Sequence, residues 1–247
     1  MAAVTLLETS ALTRRFGGLQ AVNGVAFRLA AGEVRAIIGP NGAGKTTLVG
    51  MISGRLRPSA GTIAFKGQDI TRLSAWERVM RGIVYTFQIT SIYANLTCYE
   101  NVALAAQRRA MGGLLGRLTL GEGRIALRVE AALGRVGLSA SIDRQADILP
   151  YGHKRLLEVA MGLALEPELL ILDEPTQGLA PEEISEFCEL IRKIARDATV
   201  LLIEHNMSVV LELAEQITVM DKGAILAEGT PAEIERHPEV QRAYLGT

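Results

Sequence analysis

A glycine-rich stretch, Gly39 to Thr47, constrains this chain more than any other feature of its sequence. The spacing from Gly39 to the triplet Gly44-Lys45-Thr46 matches the phosphate-binding loop pattern. Such a loop turns backbone N–H groups inward around a polyphosphate, and its glycines permit turns that side chains would block. The flanking residues predict a strand over Glu33–Ile38 and a helix over Gly44–Ile52, the setting that this loop requires, whereas a chance surface turn would lack it.

Two side chains of the loop have predicted chemical roles. Lys45 supplies positive charge within reach of the β- and γ-phosphates of a nucleotide, and the Thr46 hydroxyl is a ligand for Mg²⁺. The helix that follows directs its positive N-terminus toward the same anion. The predicted nucleotide-binding residues of the loop are Gly39, Pro40, Asn41, Gly42, Ala43, Gly44, Lys45, Thr46 and Thr47.

Composition and charge narrow the class of protein. The 247 residues suffice for one large domain, or for a core with a subdomain. A net charge of −1 creates no overall field that favours nucleic acid, so we predict no nucleic-acid partner. The apolar runs are strand-sized and too short to span a membrane, and the first residues lack the pattern of a signal peptide. Cys98 and Cys188 match no metal-binding spacing, so we expect two reduced thiols.

Acidic and basic side chains follow two apolar runs. Leu169–Leu172 predicts a strand buried on both faces of a parallel sheet, and it ends at Asp173 and Glu174. Because buried carboxylates are costly, this pair indicates a cation and a chemical function, with Asp173 holding Mg²⁺ and Glu174 polarising an attacking water. A helix cap is the structural alternative, which Pro175 disfavours. A second such strand leads to His205, at a position where ligands gather in open α/β sheets, with a purely structural histidine as the alternative.

The rest of the chain predicts three regions. Strands over Val4–Glu8 and Val22–Phe27 indicate an antiparallel edge sheet, with Phe16 between them as a candidate adenine platform. Strand patterns vanish after Ile89, and helical periodicity over Tyr99–Met111 and Glu122–Val136 indicates an inserted helical subdomain. We predict an ATP-binding core with an antiparallel β subdomain over residues 1–88 and 165–236, the helical subdomain over 89–164, and a C-terminal helical tail over 237–247.

Taken together, these motifs resemble those of ATP-binding cassette (ABC) subunits, and the resemblance covers nearly the whole chain. Phe16 stands where that family has its adenine-stacking aromatic, Gly39–Thr47 at the Walker A loop and Gln88 at the glutamine loop. Leu169–Glu174 matches the Walker B strand and His205 the switch histidine. The family signature is matched by Leu149, Pro150, Tyr151, Gly152 and His153.

The resemblance implies a fold and a chemistry. The fold is an α/β P-loop ABC ATPase with a RecA-like parallel-sheet core, an antiparallel β edge subdomain and an inserted helical subdomain. The cofactors are ATP and Mg²⁺, with Thr46, Gln88 and Asp173 at the metal, Glu174 as catalytic base and His205 at the γ-phosphate. Two such subunits dock head to tail, so that each ATP lies between one Walker A loop and the signature of the other subunit.

Several stretches resemble the ATPase subunits of branched-chain amino acid importers: Phe16–Val22, Leu149–Gly152, Gly178–Pro181 and Val240–Gly246. Such importers combine two ATPases, as a homodimer or a heterodimer, with two membrane permeases and an extracytoplasmic substrate-binding protein. The resemblance therefore implies a transport-coupled ATPase at the cytoplasmic face of the cell membrane. An ABC ATPase of lipid export and a soluble, non-transport ABC protein remain alternatives. A small-molecule kinase is disfavoured, because the signature and the switch histidine have no role there.

Four positions depart from the general family pattern. Pro150 replaces the usual Ser of the signature, Tyr151 replaces a small residue and His153 replaces Gln. In the loop after Walker B, Ala180 replaces the usual Asp. These departures bear on the contacts between subunits, and not on ATP binding.

Overall fold

Within residues 4–86, 92–110 and 122–245, which the computed structural model describes, the chain forms two β-sheets with helices packed against them. The strands are β1 (Thr5–Phe16), β2 (Leu19–Ala30), β3 (Val34–Ile38), β4 (Ala60–Phe65), β5 (Gln68–Asp69), β6 (Ile83–Thr86), β7 (Leu169–Asp173), β8 (Thr199–Ile203), β9 (Gln216–Asp221) and β10 (Ala224–Gly229). The helices are α1 (Lys45–Ile52), α2 (Ala75–Met80), α3 (Cys98–Ala110), α4 (Glu122–Arg135), α5 (Tyr151–Leu163), α6 (Pro181–Ile194), α7 (Met207–Leu213), α8 (Pro231–Glu235) and α9 (Pro238–Leu245).

The six-stranded sheet has the order β10-β9-β3-β8-β7-β6 and is parallel except at β10. All residues of β7 and β8 are buried, which confirms the prediction of strands covered on both faces. One face, with Leu170 and Leu202, packs on the core that α3, α4 and α5 share. The other face, with Ile171 and Ile203, packs on α1 and the smaller sheet.

The register of the central strands brings their carboxyl ends together. Ile203 of β8 lies beside Ile37 of β3 on one side and beside Asp173 of β7 on the other. The loop after β3, the carboxylates at the end of β7 and the histidine after β8 therefore share one edge of the sheet. This is the edge at which open α/β sheets bind ligands.

The smaller sheet is antiparallel, as predicted, and its strand order is β2-β1-β4-β5. Its first two strands are longer than the sequence indicated, and Phe16 is the last residue of β1 instead of lying between the two strands. Register shifts interrupt the β1–β2 ladder, and Ala11 adopts a positive φ of 48°. Such bulges break the alternation of apolar and polar residues, which is why the pattern conceals the full strands.

Helices α3, α4 and α5 pack on one another through a shared apolar core. Its members include Val102, Ala106, Val129, Leu133, Leu157 and Ala160. These helices confirm the predicted periodicity, with ends that differ from prediction by at most one residue. Gln88 and Ile89–Ser91, where we placed the glutamine loop and the start of the insert, lie outside the described residues.

One helix was missed, and no membrane span is found. Helix α7 follows His205 directly, and the Asn206 side chain caps it by accepting from the Ser208 N–H at 3.1 Å. An Asn ahead of the buried pair Val209 and Val210 was the available signal. Among the described residues, no helix is both long enough and apolar enough to cross a bilayer.

Candidate functional site

The phosphate loop is held between two other segments of backbone. A Cβ on Gly39 would lie 2.2 Å from the Met220 carbonyl oxygen, and one on Gly44 would lie 2.4 Å from the Ala21 carbonyl oxygen. Gly223 closes the contact, because its N–H donates to the Ala43 carbonyl at 3.0 Å. The outer glycines are thus required by packing within the subunit as well as by the approach of a phosphate.

Lys45 lies inside this loop. Its side-chain amine donates to the carbonyl oxygens of Gly39 at 2.7 Å and Pro40 at 3.1 Å. Burial lowers the pKa of Lys45, while the negative charges of Glu174 and Asp173 oppose that shift. When a nucleotide binds, the Lys45 amine can exchange its hydrogen bonds to the loop carbonyls for hydrogen bonds to phosphate oxygens. Gly44, which precedes α1, has a φ of 99° and caps the helix with no side chain, so the N–H groups of Lys45 and its neighbours face the loop.

Asp173 is 1% exposed and has one satisfied oxygen. Its Oδ2 accepts from the Tyr85 hydroxyl at 2.5 Å, whereas Oδ1 is buried and has no hydrogen-bond partner among the residues that the structure describes. Burial raises the pKa of Asp173, and the Tyr85 hydrogen bond counters part of that rise. A buried acceptor oxygen beside a phosphate loop fits Mg²⁺ or one of its water ligands, so the residues present suit the metal that the sequence predicts.

Glu174 and His205 lie close to each other. The Glu174 carboxylate is 20% exposed and its Oε1 lies 3.8 Å from Nδ1 of His205, whose side chain is 59% exposed. Glu174 adopts a left-handed φ of 47°, and its N–H donates to the Ile203 carbonyl at 2.8 Å. Because this backbone conformation is costly for a side chain other than glycine, the surrounding contacts must hold the turn in place.

Arg155, on α5, was not predicted and holds the same turn from the other side. It is 3% exposed, and its guanidinium donates to the carbonyls of Glu174 at 2.7 Å and Pro175 at 3.1 Å, with a longer bond to Asp173 at 3.4 Å. It also forms a buried ion pair with Glu158 at 2.8 Å. An Arg and a Glu three residues apart on the buried face of a helix were the signal in the sequence.

Replacing Arg155 by Met is expected to lower the free energy of unfolding by about 3–5 kcal/mol, because Glu158 then loses its buried cation. The Arg155→Met/Glu158→Leu double variant should recover much of that loss, since no buried charge remains. Urea unfolding measures both. The exposed Arg192 has the same spacing to Glu189 and also pairs with Glu212, so Arg192→Met is a control for the loss of exposed ion pairs, with little expected effect. A single Arg155 variant as stable as the wild type would contradict the role we give this contact.

The signature residues occupy the start of α5. Pro150 is the N-cap, with φ −53° and ψ 155° and no side-chain cap, and the first helical bond runs from Lys154 N–H to the Pro150 carbonyl at 3.0 Å. The preceding first-turn N–H groups therefore point out of the helix end, as an anion site requires. Leu149 is buried, whereas Tyr151 and His153 are exposed.

Gly152 packs closely against the end of the Glu183 side chain, a contact that the sequence did not reveal. A Cβ there would lie 2.3 Å from Oε1 of Glu183 on α6. The other oxygen of Glu183 accepts from the Ala180 N–H at 2.8 Å and so caps α6. The Ala180 side chain makes no cap itself, so Glu183 holds the turn before α6 through the Ala180 backbone alone.

Phe16 is 43% exposed at the tip of the β1–β2 hairpin. The guanidinium carbon of Arg14 lies 4.5 Å from the centroid of the ring and covers one of its faces. The contact between Ala21 and Gly44 places this hairpin beside the phosphate loop. An aromatic face next to a phosphate loop suits a stacked adenine.

Two family models match the chain. One, described as "ABC transporter", matches residues 22–177, and the other, "Branched-chain amino acid ATP-binding cassette transporter", matches residues 224–247. Among curated relatives, the high-affinity branched-chain amino acid transport ATP-binding proteins LivG of Escherichia coli K12 and BraF of Pseudomonas aeruginosa are each 39% identical over 98% of both chains. The lipopolysaccharide export system ATP-binding protein LptB of Acidithiobacillus ferridurans is 34% identical, over 98% of this chain and 97% of its own.

Solved structures with the same fold include two ATP-binding cassettes. A nucleotide-free cassette from an ABC transporter superposes with a TM-score of 0.88 at 30% identity, over 99% of this chain and 100% of the other. The ADP conformation of the ATP-binding cassette MJ1267 superposes with the same score, identity and coverage. The predicted fold class is thereby confirmed.

Proposed function

We propose that this chain, which belongs to the ABC transporter family, is the ATP-hydrolysing subunit of an importer of branched-chain amino acids. The observation that carries the ATPase assignment is the meeting of the Lys45 loop, the pair Asp173 and Glu174, and His205 at one sheet edge. The substrate class is supported by the names of the relatives at 39% identity and by the match of residues 224–247. LptB supports lipid export less well, at 34% identity.

In the proposed reaction the protein mainly positions groups and offsets charge. The loop amides and Lys45 bind the phosphates, and the exposed face of Phe16 stacks on the adenine. Thr46, Gln88 and Asp173 would hold Mg²⁺, which when bound offsets negative charge on the β- and γ-phosphates. Glu174 accepts a proton from the attacking water, and His205 donates to the γ-phosphate.

We further propose that a second ATPase subunit completes the site, either another copy of this chain or a related one. Leu149, Pro150, Tyr151, Gly152 and His153 would then meet the γ-phosphate bound by the partner. Pro150 has neither a hydroxyl nor an N–H, so the contact falls to the first-turn N–H groups of α5. In this arrangement Arg155 connects α5, whose first turn would contact the ATP bound by the partner, to the turn that carries Glu174.

The membrane partners would be two permeases, with an extracytoplasmic binding protein reached through them, and the subunit would lie at the cytoplasmic face of the membrane. We propose that the division into residues 1–88 with 165–236, 89–164 and 237–247 separates the parts that move against one another. A cleft of about 170 Å³ between β6 and helices α3 and α5 lies at the junction of the first two parts. It is lined by Val84, Tyr85, Thr86, Ala105, Glu158, Met161, Gly162 and Leu165, and its mostly apolar wall suits one apolar side chain from a docked helix.

Tyr93, close in sequence to this junction, provides the test of permease docking. Its side chain is 60% exposed, and the buried amide of Asn101 fixes its backbone through bonds of 2.8 Å and 3.1 Å. Ile92, by contrast, is half-buried and packs on the core, so a charge there would also disturb folding. We expect Tyr93→Glu to abolish transport by the assembled complex while leaving ATP binding by the isolated subunit unchanged. Tyr93→Phe is the control, and unimpaired transport in Tyr93→Glu would remove this surface from the docking site.

ATP hydrolysis by the reconstituted complex tests the substrate class. The chain would be combined with its permeases and binding protein in lipid vesicles, and the rate measured with leucine, isoleucine, valine, lysine or lipopolysaccharide. Stimulation by the three branched-chain amino acids and not by lysine is expected. Stimulation by lipopolysaccharide alone would favour the lipid-export alternative, and failure to associate with any permease would favour a soluble ABC protein.

A further inference from the structure

A buried carboxylate that the proposed mechanism does not use lies next to the site. Glu204 follows β8 directly, is 1% exposed and precedes His205. Its Oε1 accepts from the Thr176 N–H at 3.0 Å and from the Thr176 hydroxyl. Its Oε2 accepts from the N–H groups of His205 at 3.0 Å and Asn206 at 3.2 Å.

These partners determine what the side chain can be. Three of the four are backbone N–H groups, which only donate, so both oxygens of Glu204 must accept. A carboxylate meets this requirement, and its bonds to N–H groups are stronger than those of a neutral acceptor. Losing any one of these hydrogen bonds would leave a buried charge incompletely bonded, which costs free energy. Glu204 therefore restrains the positions of its partners relative to one another.

The hydrogen bonds of Glu204 connect two turns whose relative position matters for the proposed reaction. Thr176 lies two residues after Glu174, in the turn that Arg155 also holds, and His205 and Asn206 form the turn before α7. The His205 side chain is 59% exposed, so packing alone does not fix it, and its Nδ1 is 3.8 Å from Glu174. Glu204 therefore sets the backbone from which the imidazole projects, relative to the backbone that carries Glu174.

We propose that Glu204 is a positioning residue for ATP hydrolysis, which holds His205 at a fixed distance from Glu174 by bonding the backbone of both turns. The inference rests on the proposed function for its kinetic consequence, but its geometric content concerns the nucleotide-free chain alone. The role requires each oxygen of Glu204 to accept hydrogen bonds from a different turn. A variant that changes only one oxygen can therefore distinguish this role from the mere burial of a polar group.

Isosteric replacement is the sharpest perturbation. In Glu204→Gln one oxygen becomes an NH₂ donor, which must face either the Thr176 N–H or the N–H groups of His205 and Asn206. In Glu204→Asp the charge remains, but the side chain is one methylene shorter and cannot reach both turns. Glu33 is a matched control, because it is also buried, accepts from the Ala30 N–H at 2.9 Å and pairs with Arg35 at the opposite end of the strands.

The kinetic arm compares kcat with nucleotide affinity in the assembled complex. We expect Glu204→Gln to lower kcat by about 10- to 100-fold, the effect of a misplaced catalytic group, while the Kd for ATP changes by less than about threefold. Glu33→Gln should lower the stability of the fold but should not lower kcat relative to the Kd for ATP. A Glu204→Gln variant with wild-type kcat would overturn the proposal, whereas a wild-type complex without ATPase activity would count against the proposed function instead.

The spectroscopic arm needs no catalysis. The chain has three histidines, so ¹⁵N-histidine labelling of the full chain gives three pairs of ring-nitrogen signals, one pair each from His153, His205 and His237. We expect Glu204→Gln to shift the His205 pair and leave the other two pairs in place, and Glu33→Gln to move none. Thr176→Val removes only the hydroxyl bond and should fold even if the Gln variant does not. An unmoved His205 signal in Thr176→Val, or in a folded Glu204→Gln, would overturn the inference.

Discussion

Replacing Glu174 by Gln is expected to lower ATP turnover about 10²- to 10⁴-fold and to leave ATP binding intact. The amide has the size of the carboxylate but cannot accept a proton from water. The structure makes this change unusually clean, because the turn is held through the backbone, by the Glu174 N–H on Ile203 and by Arg155 on the Glu174 carbonyl. The left-handed φ of 47° should therefore persist in the variant.

The measurement is the steady-state ATPase rate of the assembled complex, together with the equilibrium Kd for ATP. Glu130, exposed on α4, provides the control, and Glu130→Gln should match the wild type in both. Hydrolysis near the wild-type rate in Glu174→Gln would show that another group activates the water.

Gly152→Asp is expected to abolish ATP-driven closure of the two subunits nearly completely, whereas Pro150→Ser should change ATPase activity only modestly. At Gly152, a Cβ would lie 2.3 Å from Oε1 of Glu183, and the new carboxylate would add like-charge repulsion. The same carboxylate would repel the partner's γ-phosphate at the start of α5. Pro150 already has the extended conformation of an N-cap, which serine adopts readily.

Two causes are combined in Gly152→Asp, and a double variant separates them. Glu183→Ala removes the obstruction within the subunit and weakens the cap of α6. If the phosphate must approach Gly152 closely, Gly152→Asp/Glu183→Ala stays inactive although Glu183→Ala alone is active. Recovered activity in the double variant would reduce the role of Gly152 to packing on α6. A fully tolerated Gly152→Asp would contradict the two-subunit site itself, and a severe loss in Pro150→Ser would reveal a dedicated role for the proline.

The elements that the sequence predicted well are those with a local pattern. The glycines of the phosphate loop and the continuous apolar runs of β7 and β8 each occupy a few consecutive residues, and the register of parallel strands then places Asp173, Glu174 and His205 at one edge. The alternation of apolar and polar residues is less regular where bulges interrupt the β1–β2 ladder, so the full strands were not predicted. Helix α7 was not predicted because it is too short for a clear helical periodicity.

The contacts that hold the site were beyond the reach of these patterns, because they join residues distant in sequence. Tyr85 bonds Asp173 across 88 positions, Glu204 bonds Thr176 across 28, and Arg155 bonds the Glu174 carbonyl across 19. A buried Arg or Glu is recognisable as unusual from its helix or strand face, but many partners are compatible with it. Only the folded structure determines which partner is bonded. For Arg155 and Glu204 most partners are backbone carbonyls and N–H groups, which carry no residue-specific signal in the sequence.

Leucine accumulation in sealed vesicles tests most directly whether ATP hydrolysis by this chain drives uptake. The vesicles would contain the permeases with this subunit on the ATP-accessible side and the leucine-loaded binding protein on the other. With wild-type chain and with Glu130→Gln, ATP should drive leucine across the membrane against its gradient, and with Glu174→Gln it should not. Transport that proceeds equally with Glu174→Gln, or ATP hydrolysis by the wild-type complex that moves no branched-chain amino acid, would contradict this function.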